Sequence, residues 1–163
     1  MPGLLGSSIP EGAIAIQDFD YKRYLGKWYE IARLDFKFEA NMNNTTAEYS
    51  LNHNGTIRIE NKGYNFVKNR WQKAIGKAKF RRLSSIAELK VSFFGPFYAG
   101  YNVIMLDAEY KYALVVGKDL RYLWILSREK SIPSQIKDQY LSKAETIGFK
   151  ISHLIWVEQS MEA

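Results

Sequence analysis

Proton transfer and nucleophilic attack need clustered reactive side chains, and this chain offers few. It holds two histidines and no cysteine. His53 stands beside Asn54-Gly55, a turn dipeptide, and is expected at the solvent. His153 opens the last apolar run, away from any serine and carboxylate that could use it. No carboxylate or imidazole falls at zinc-ligand spacing. No glycine loop follows a strand and opens a helix to cradle a phosphate. Without a thiol there is neither a disulfide framework nor thiolate chemistry. No catalytic residue, metal ligand or cofactor is assigned, and the chain reads as a non-enzyme.

What the chain has in quantity is rings. Aromatics make up 15% of its 163 residues, with 11 Tyr, 9 Phe and 4 Trp. They either pack between strands or line a cavity. The net charge of +6 admits nucleic acid, an anionic membrane surface or an anionic ligand as partner. Lys and Arg are scattered, with no run longer than Arg81-Arg82, so the concentrated stripe of a nucleic-acid binder is missing and none is expected. Nothing approaches ~18 consecutive apolar residues, so no helix is expected to span a membrane. Residues 1–9 lack the charged start and apolar stretch of a signal peptide.

The elements that must position these rings are short strands. Residues 1–17 read as an N-terminal arm and 18–163 as one domain, long enough to bury a core. Strand-like runs cover 27–35, 45–53, 56–64, 70–82, 86–94, 101–106, 112–116 and 121–127, joined by turn-rich connections. Asn54-Gly55 is the strongest hairpin signal. Eight strands in sequential hairpins predict an all-β, eight-stranded antiparallel up-and-down barrel, since closure removes exposed edges. One helix follows, with Ser131 as cap and Pro133 in the first turn. Its stripe of Ile136, Tyr140, Leu141, Ala144 and Ile147 should pack on the barrel's outside, and Gly148 should stop it. Residues 151–157 form a short ninth strand beside the first.

Alternation sorts the faces. Ala47, Tyr49 and Leu51 face in, as do Ile57, Ile59 and Asn61, then Ala74, Gly76, Ala78 and Phe80, then Leu89, Val91 and Phe93. Glu48, Arg58, Glu60, Lys62, Lys73, Lys77, Lys79 and Lys90 face out. The inner side of the fourth run is nearly all small, which leaves room inside unless large rings opposite fill it. Eight strands is the size at which a barrel either just fills or holds one small ligand. Glu30 and Asn61 are inward polar positions: they satisfy each other or tyrosine hydroxyls, or they meet water or a ligand. Loops 36–44, 65–69, 95–100 and 117–120 share one end. These loops and their margins carry Phe36, Phe38, Phe66, Phe97 and Tyr98 together with Lys37, Lys68, Arg70, Lys118 and Arg121. An apolar mouth ringed by cations suits a greasy tail with an anionic head.

These residues match a family. Gly26-Lys27-Trp28 resembles the Gly-x-Trp signature of lipocalins. Asp107-Ala108-Glu109-Tyr110 resembles their second motif, with Leu106 where the family usually has Thr, and Arg128 matches the third. Tyr24–Arg33, Asn61–Asn65, Lys90–Tyr98 and Tyr122–Arg128 are similar to bacterial lipocalins of the outer-membrane lipoprotein group and to apolipoprotein D. The likeness spans Asp18 to Val157. It implies that Trp28 and Arg128 stack to close the barrel bottom, and that Trp124 faces the pocket. It implies a carrier or store of fatty acids or lysophospholipids in the cell envelope, periplasm or outer membrane. Bacterial members usually carry an acylated N-terminal cysteine. Gly6 or Ser7 stands near its place, which leaves anchoring open.

The expected ligand contacts are Glu30, Tyr49, Ile59, Asn61, Ala78, Leu89, Val91, Phe93, Phe97, Tyr101, Val103, Leu114 and Trp124. Gly26, Trp28, Asp107, Tyr110 and Arg128 are the structural signature. Partners are an apolar small molecule, peripherally a membrane, and at most a second copy in a homodimer. A lipocalin-fold enzyme acting on a lipid-like substrate, and an interaction module using the apolar mouth, are the alternatives.

Overall fold

Apolar residues at period two on strands of five to eleven residues force a sheet with one dry face, and the sheet closes on itself. The computed structural model describes residues 8–162. The strands are β1 (Gly26–Leu34), β2 (Met42–Leu51), β3 (Ile57–Asn65), β4 (Arg70–Phe80), β5 (Glu88–Phe94), β6 (Phe97–Leu106), β7 (Tyr112–Val116) and β8 (Leu123–Ser127). Each pairs antiparallel with the next, and β1 pairs with both β8 and β2 to close the barrel. β9 (Leu154–Trp156) bonds outside on β1.

Short helix α1 (Tyr21–Tyr24), capped by Asp20, enters the barrel bottom, and no sequence signal had marked it. Helix α2 (Ser134–Ile147) lies on the outer wall. There Tyr140 and Ala144 pack with Ile104, Leu114, Ile125 and Leu154. The cap residue of α2 is Pro133, not Ser131, and no side chain caps it. Gly148 ends it with φ of 119°, as the glycine stop requires.

Two local departures matter. The Asn54-Gly55 connection is a five-residue loop, 52–56, in which Asn54 Oδ1 accepts from the Thr56 amide and hydroxyl. The β1–β2 ladder covers only Gly26–Tyr29 against Thr46–Tyr49. Above it the C-terminal tail bridges the seam. The Asn44 amide donates to the Glu158 carbonyl, Gln159 Nε2 donates to the carbonyls of Glu30 and Thr45, and Asn44 Oδ1 accepts from the amides of Ser160 and Met161. Residues 8–17 of the arm also dock on the barrel: Asn102 Nδ2 donates to the Ser8 carbonyl, and the Ile16 amide to that of Val103. Gly6 and Ser7 lie outside the described residues.

Candidate functional site

The bottom is sealed by charge on a ring. The Arg128 guanidinium lies 3.8 Å from the Trp28 ring centroid. It also donates to the carbonyls of Tyr110, Lys27, Arg23 and Tyr24. Trp28 Nε1 donates to the Tyr24 carbonyl at 2.8 Å. Gly26 sits at φ 102°, and a Cβ there would be 3.3 Å from Arg128 Nη1. Asp107 Oδ1 accepts from the amides of Lys111 and Tyr112, which fixes the turn beneath Tyr110. Arg128 thereby ties together the backbone of α1, β1 and the β6–β7 turn.

Above the seal lies a floor of phenols. Tyr101 Oη stands 2.7 Å from both Tyr24 Oη and Tyr49 Oη. Burial holds all three phenols well above their ordinary range, so they stay protonated. Three hydroxyls bring three protons and the two contacts use two, leaving one O–H for water or ligand. The space beside them is about 10 Å³, lined by Tyr24, Tyr49, Ile59, Ala78 and Tyr101, room for about one water. The lower half of the barrel is therefore packed. A larger hollow of about 80 Å³, lined by Lys27, Glu48, Lys62 and Glu162 among others, lies on the outer wall beside the tail.

The upper half is open. Ala74 on β4 lies opposite Asn61, and Ala99 on β6 opposite Val91, all on the inner face, yet Ala74 and Ala99 are exposed. Solvent thus reaches down the inside wall. Rings fill part of this space: a Cβ on Gly76 would meet Phe93 ring atoms at 2.7 Å, so the small residue there exists to seat Phe93.

One side of the mouth holds a polar cluster. A bulge between Glu30 and Ala32 shifts β1 by one residue. It puts Glu30 and Arg33 on the same face. Arg33 is buried and donates to Glu30 Oε1 at 3.1 Å, Asp35 Oδ1 at 3.0 Å and the carbonyls of Glu39 and Met42. Glu39, on a 3-10 turn at Lys37–Glu39, accepts from Trp124 Nε1 at 2.8 Å. Phe36 meets Trp124 edge-on, with centroids 5.6 Å apart. The β1–β2 loop is thereby pinned to the cup's own tryptophan. Burial and the neighbouring Glu39 carboxylate push the Glu30 carboxyl well above the usual range, against the pull of Arg33.

Comparison with known proteins fits this geometry. A family profile described as "Lipocalin-like domain" matches residues 19–159. The chain belongs to the lipocalins. It is 55% identical over 150 residues to "Outer membrane lipoprotein Blc" of Citrobacter freundii, covering 92% of this chain and 85% of that one. It is 36% identical over 129 residues to apolipoprotein D of Rattus norvegicus, a more distant relative covering 73% of this chain and 66% of that one. Among solved structures, insecticyanin from the tobacco hornworm Manduca sexta superposes with TM-score 0.74 at 19% identity, over 94% of this chain and 89% of that one. That likeness speaks to the fold.

In this lipocalin the expected contacts fall into four groups. Asn61, Val91, Phe93 and Trp124 are partly buried on the inner face, and Phe97 stands exposed at the rim. Tyr49, Ile59, Ala78, Leu89, Val103 and Tyr101 form the packed lower core and its phenol floor. Glu30 is held by Arg33, and neither Asn61 nor a tyrosine hydroxyl partners it. Leu114 must be withdrawn: it is fully buried on the outer face beneath α2, while its neighbours Ala113 and Val115 face in. Among the rim cations, Arg121 is bound by Asp119 at 2.7 Å. Arg33 and Glu39 went unassigned in the sequence. A buried arginine is legible only once the bulge is known, and Glu39 reaches Trp124 across 85 residues. His53 and His153 are exposed.

Proposed function

We propose that this lipocalin carries or stores an amphipathic lipid-like ligand, a fatty acid or lysophospholipid, in the cell envelope. The observation that carries this reading is the solvent-reached inner wall at Ala74 and Ala99 above a packed floor. Such a cup accepts a guest without unfolding its own core. A tail entering it gains about 0.8 kcal/mol per buried methylene, less ordering costs. Phe93, Val91 and Trp124 supply apolar contact, and Asn61 supplies an inward amide. Lys37 and Lys68 stand on the mouth loops, and Arg70 at the first residue of β4, for an anionic head. The relatives named outer membrane lipoproteins support a cell-envelope location.

The test is titration with a long-chain fatty acid and, separately, a lysophospholipid, followed by tryptophan emission. A saturable change that disappears in Trp124→Phe is expected. Organic extraction of the purified protein and lipid mass spectrometry should recover the same class. Absence of any saturable response to either ligand, in a protein stripped of endogenous lipid, would falsify the reading.

A further inference from the structure

The outer face of β3–β4–β5 opposes like charges in register. Arg58 sits directly across from Lys77, Lys62 from Lys73, and Lys79 from Lys90. Directly opposed like charges destabilise a sheet, and this face carries three such pairs. Glu60 answers two of the cations, bonding Arg58 and Lys62 at 3.3 Å each. Among the described residues, Lys73, Lys77, Lys79 and Lys90 have no carboxylate partner; Lys79 and Lys90 lie over the Tyr98 ring instead. At the centre Ile75, opposite Glu60, is 44% exposed. The wall runs up into two mouth loops whose apolar side chains project: Phe66 is 51% exposed, Val67 62% and Phe97 77%.

We infer that this wall, with the two loops above it, docks on a membrane surface rich in anionic phospholipid. The four cations without a carboxylate partner are all lysines. These are hydrated point charges on flexible stems, which suit a diffuse anionic surface better than the planar bidentate recognition that arginine provides. The charge field meets headgroups while Ile75, Phe66, Val67 and Phe97 meet the interfacial layer. Duplex nucleic acid would satisfy the lysines and leave those four apolar side chains exposed. Docking in this orientation sets the rim of the cup at the leaflet. The surface is separate from the interior, so the inference stands whatever the cup holds.

The experiment is flotation of the purified chain with phosphatidylcholine vesicles and with vesicles of 7:3 phosphatidylcholine and phosphatidylglycerol, at low and high salt. Binding should favour the anionic vesicles by at least tenfold and weaken with salt. The triple variant Lys73→Gln/Lys77→Gln/Lys79→Gln should lose about fivefold per lysine, on the order of 100-fold in all. Its melting temperature should hold or rise, because each substitution removes one like-charge opposition, and fatty-acid titration in solution should be unchanged. Equal binding to both vesicle types, or a triple variant that binds anionic vesicles as well as the parent, overturns the inference. So does retention on a short DNA duplex at physiological salt as strong as on the anionic vesicles. Loss of ligand titration with intact vesicle docking would instead strike the carrier reading alone.

Discussion

Replacing Arg33 by Met tests the polar cluster at the mouth. The guanidinium side chain is 2% exposed and makes two carboxylate contacts and two carbonyl contacts. Methionine fills similar length and supplies no donor, so Glu30 is left buried without its cation. Removing one member of a buried ion pair costs about 3–5 kcal/mol, out of a total stability on the order of 10 kcal/mol. At 2–4 °C per kcal/mol for a chain of this size, the midpoint should fall by about 6–20 °C in calorimetry. The pH dependence is more specific. The Glu30 carboxyl is raised in the folded state by burial and by Glu39, against Arg33. Between an unfolded value of about 4.3 and that raised value, the folded chain holds a proton that the unfolded chain has released. Stability therefore falls as pH climbs through this window, by up to about 1.4 kcal/mol per unit, and levels above it. Arg33→Met removes the opposing cation, so the fall should extend to higher pH. Glu30→Gln should abolish this fall, and the double variant should recover at least about 1 kcal/mol over Arg33→Met alone at pH 7. Denaturant melts from pH 4.5 to 8.5 measure all four proteins. An Arg33→Met chain within about 1 kcal/mol of the parent, with an unchanged pH profile, would refute the cluster.

Three shorter predictions follow from other layers of the barrel. Arg128→Met leaves the Trp28 face and four carbonyls without their donor, and should cost about 2–4 kcal/mol in denaturant melts while ligand affinity stays within about twofold. In an alkaline titration followed by tyrosinate absorbance, the Tyr24, Tyr49 and Tyr101 phenols should remain un-ionised at about pH 11 and ionise only as the chain unfolds; all 11 tyrosines titrating together near pH 10 would contradict the buried floor. Gly76→Val places a Cβ 2.7 Å from both the Phe93 ring and the Ser92 carbonyl. It should cost about 1–3 kcal/mol and push the ring into the cup, so ligand affinity should fall even where the melting curve shows a folded protein.

How much of this was legible in the residues differs from strand to strand. On β2 to β5 polar and apolar residues alternate, one face wet and one dry, so Tyr49, Ile59, Ala78 and Leu89 declared their side. On β7 the run Tyr112–Val116 is apolar throughout, because its outer face is buried under α2. Alternation carries no information there, and Leu114 lies beneath α2 rather than on the inner face where it is expected. The bulge in β1 is likewise silent in sequence, since one extra residue in a ladder is visible only against the partner strand. It alone unites Glu30 with Arg33.

By itself the sequence determined the order of hairpins, the outer helix with its glycine stop, and the Trp28–Arg128 seal, because these follow from local periodicity and from motif residues. Tertiary structure decided how full the barrel is: alternation turns Phe93 inward, but only cross-strand packing seats its ring over Gly76, and Tyr24 enters from α1, which no pattern links to the interior. It also decided the pinning of Glu39 to Trp124 and the gathering of Lys73, Lys77, Lys79 and Lys90 into one wall. The reason is common to all: periodicity along a strand says which way a side chain points, whereas only the register between strands says what it meets.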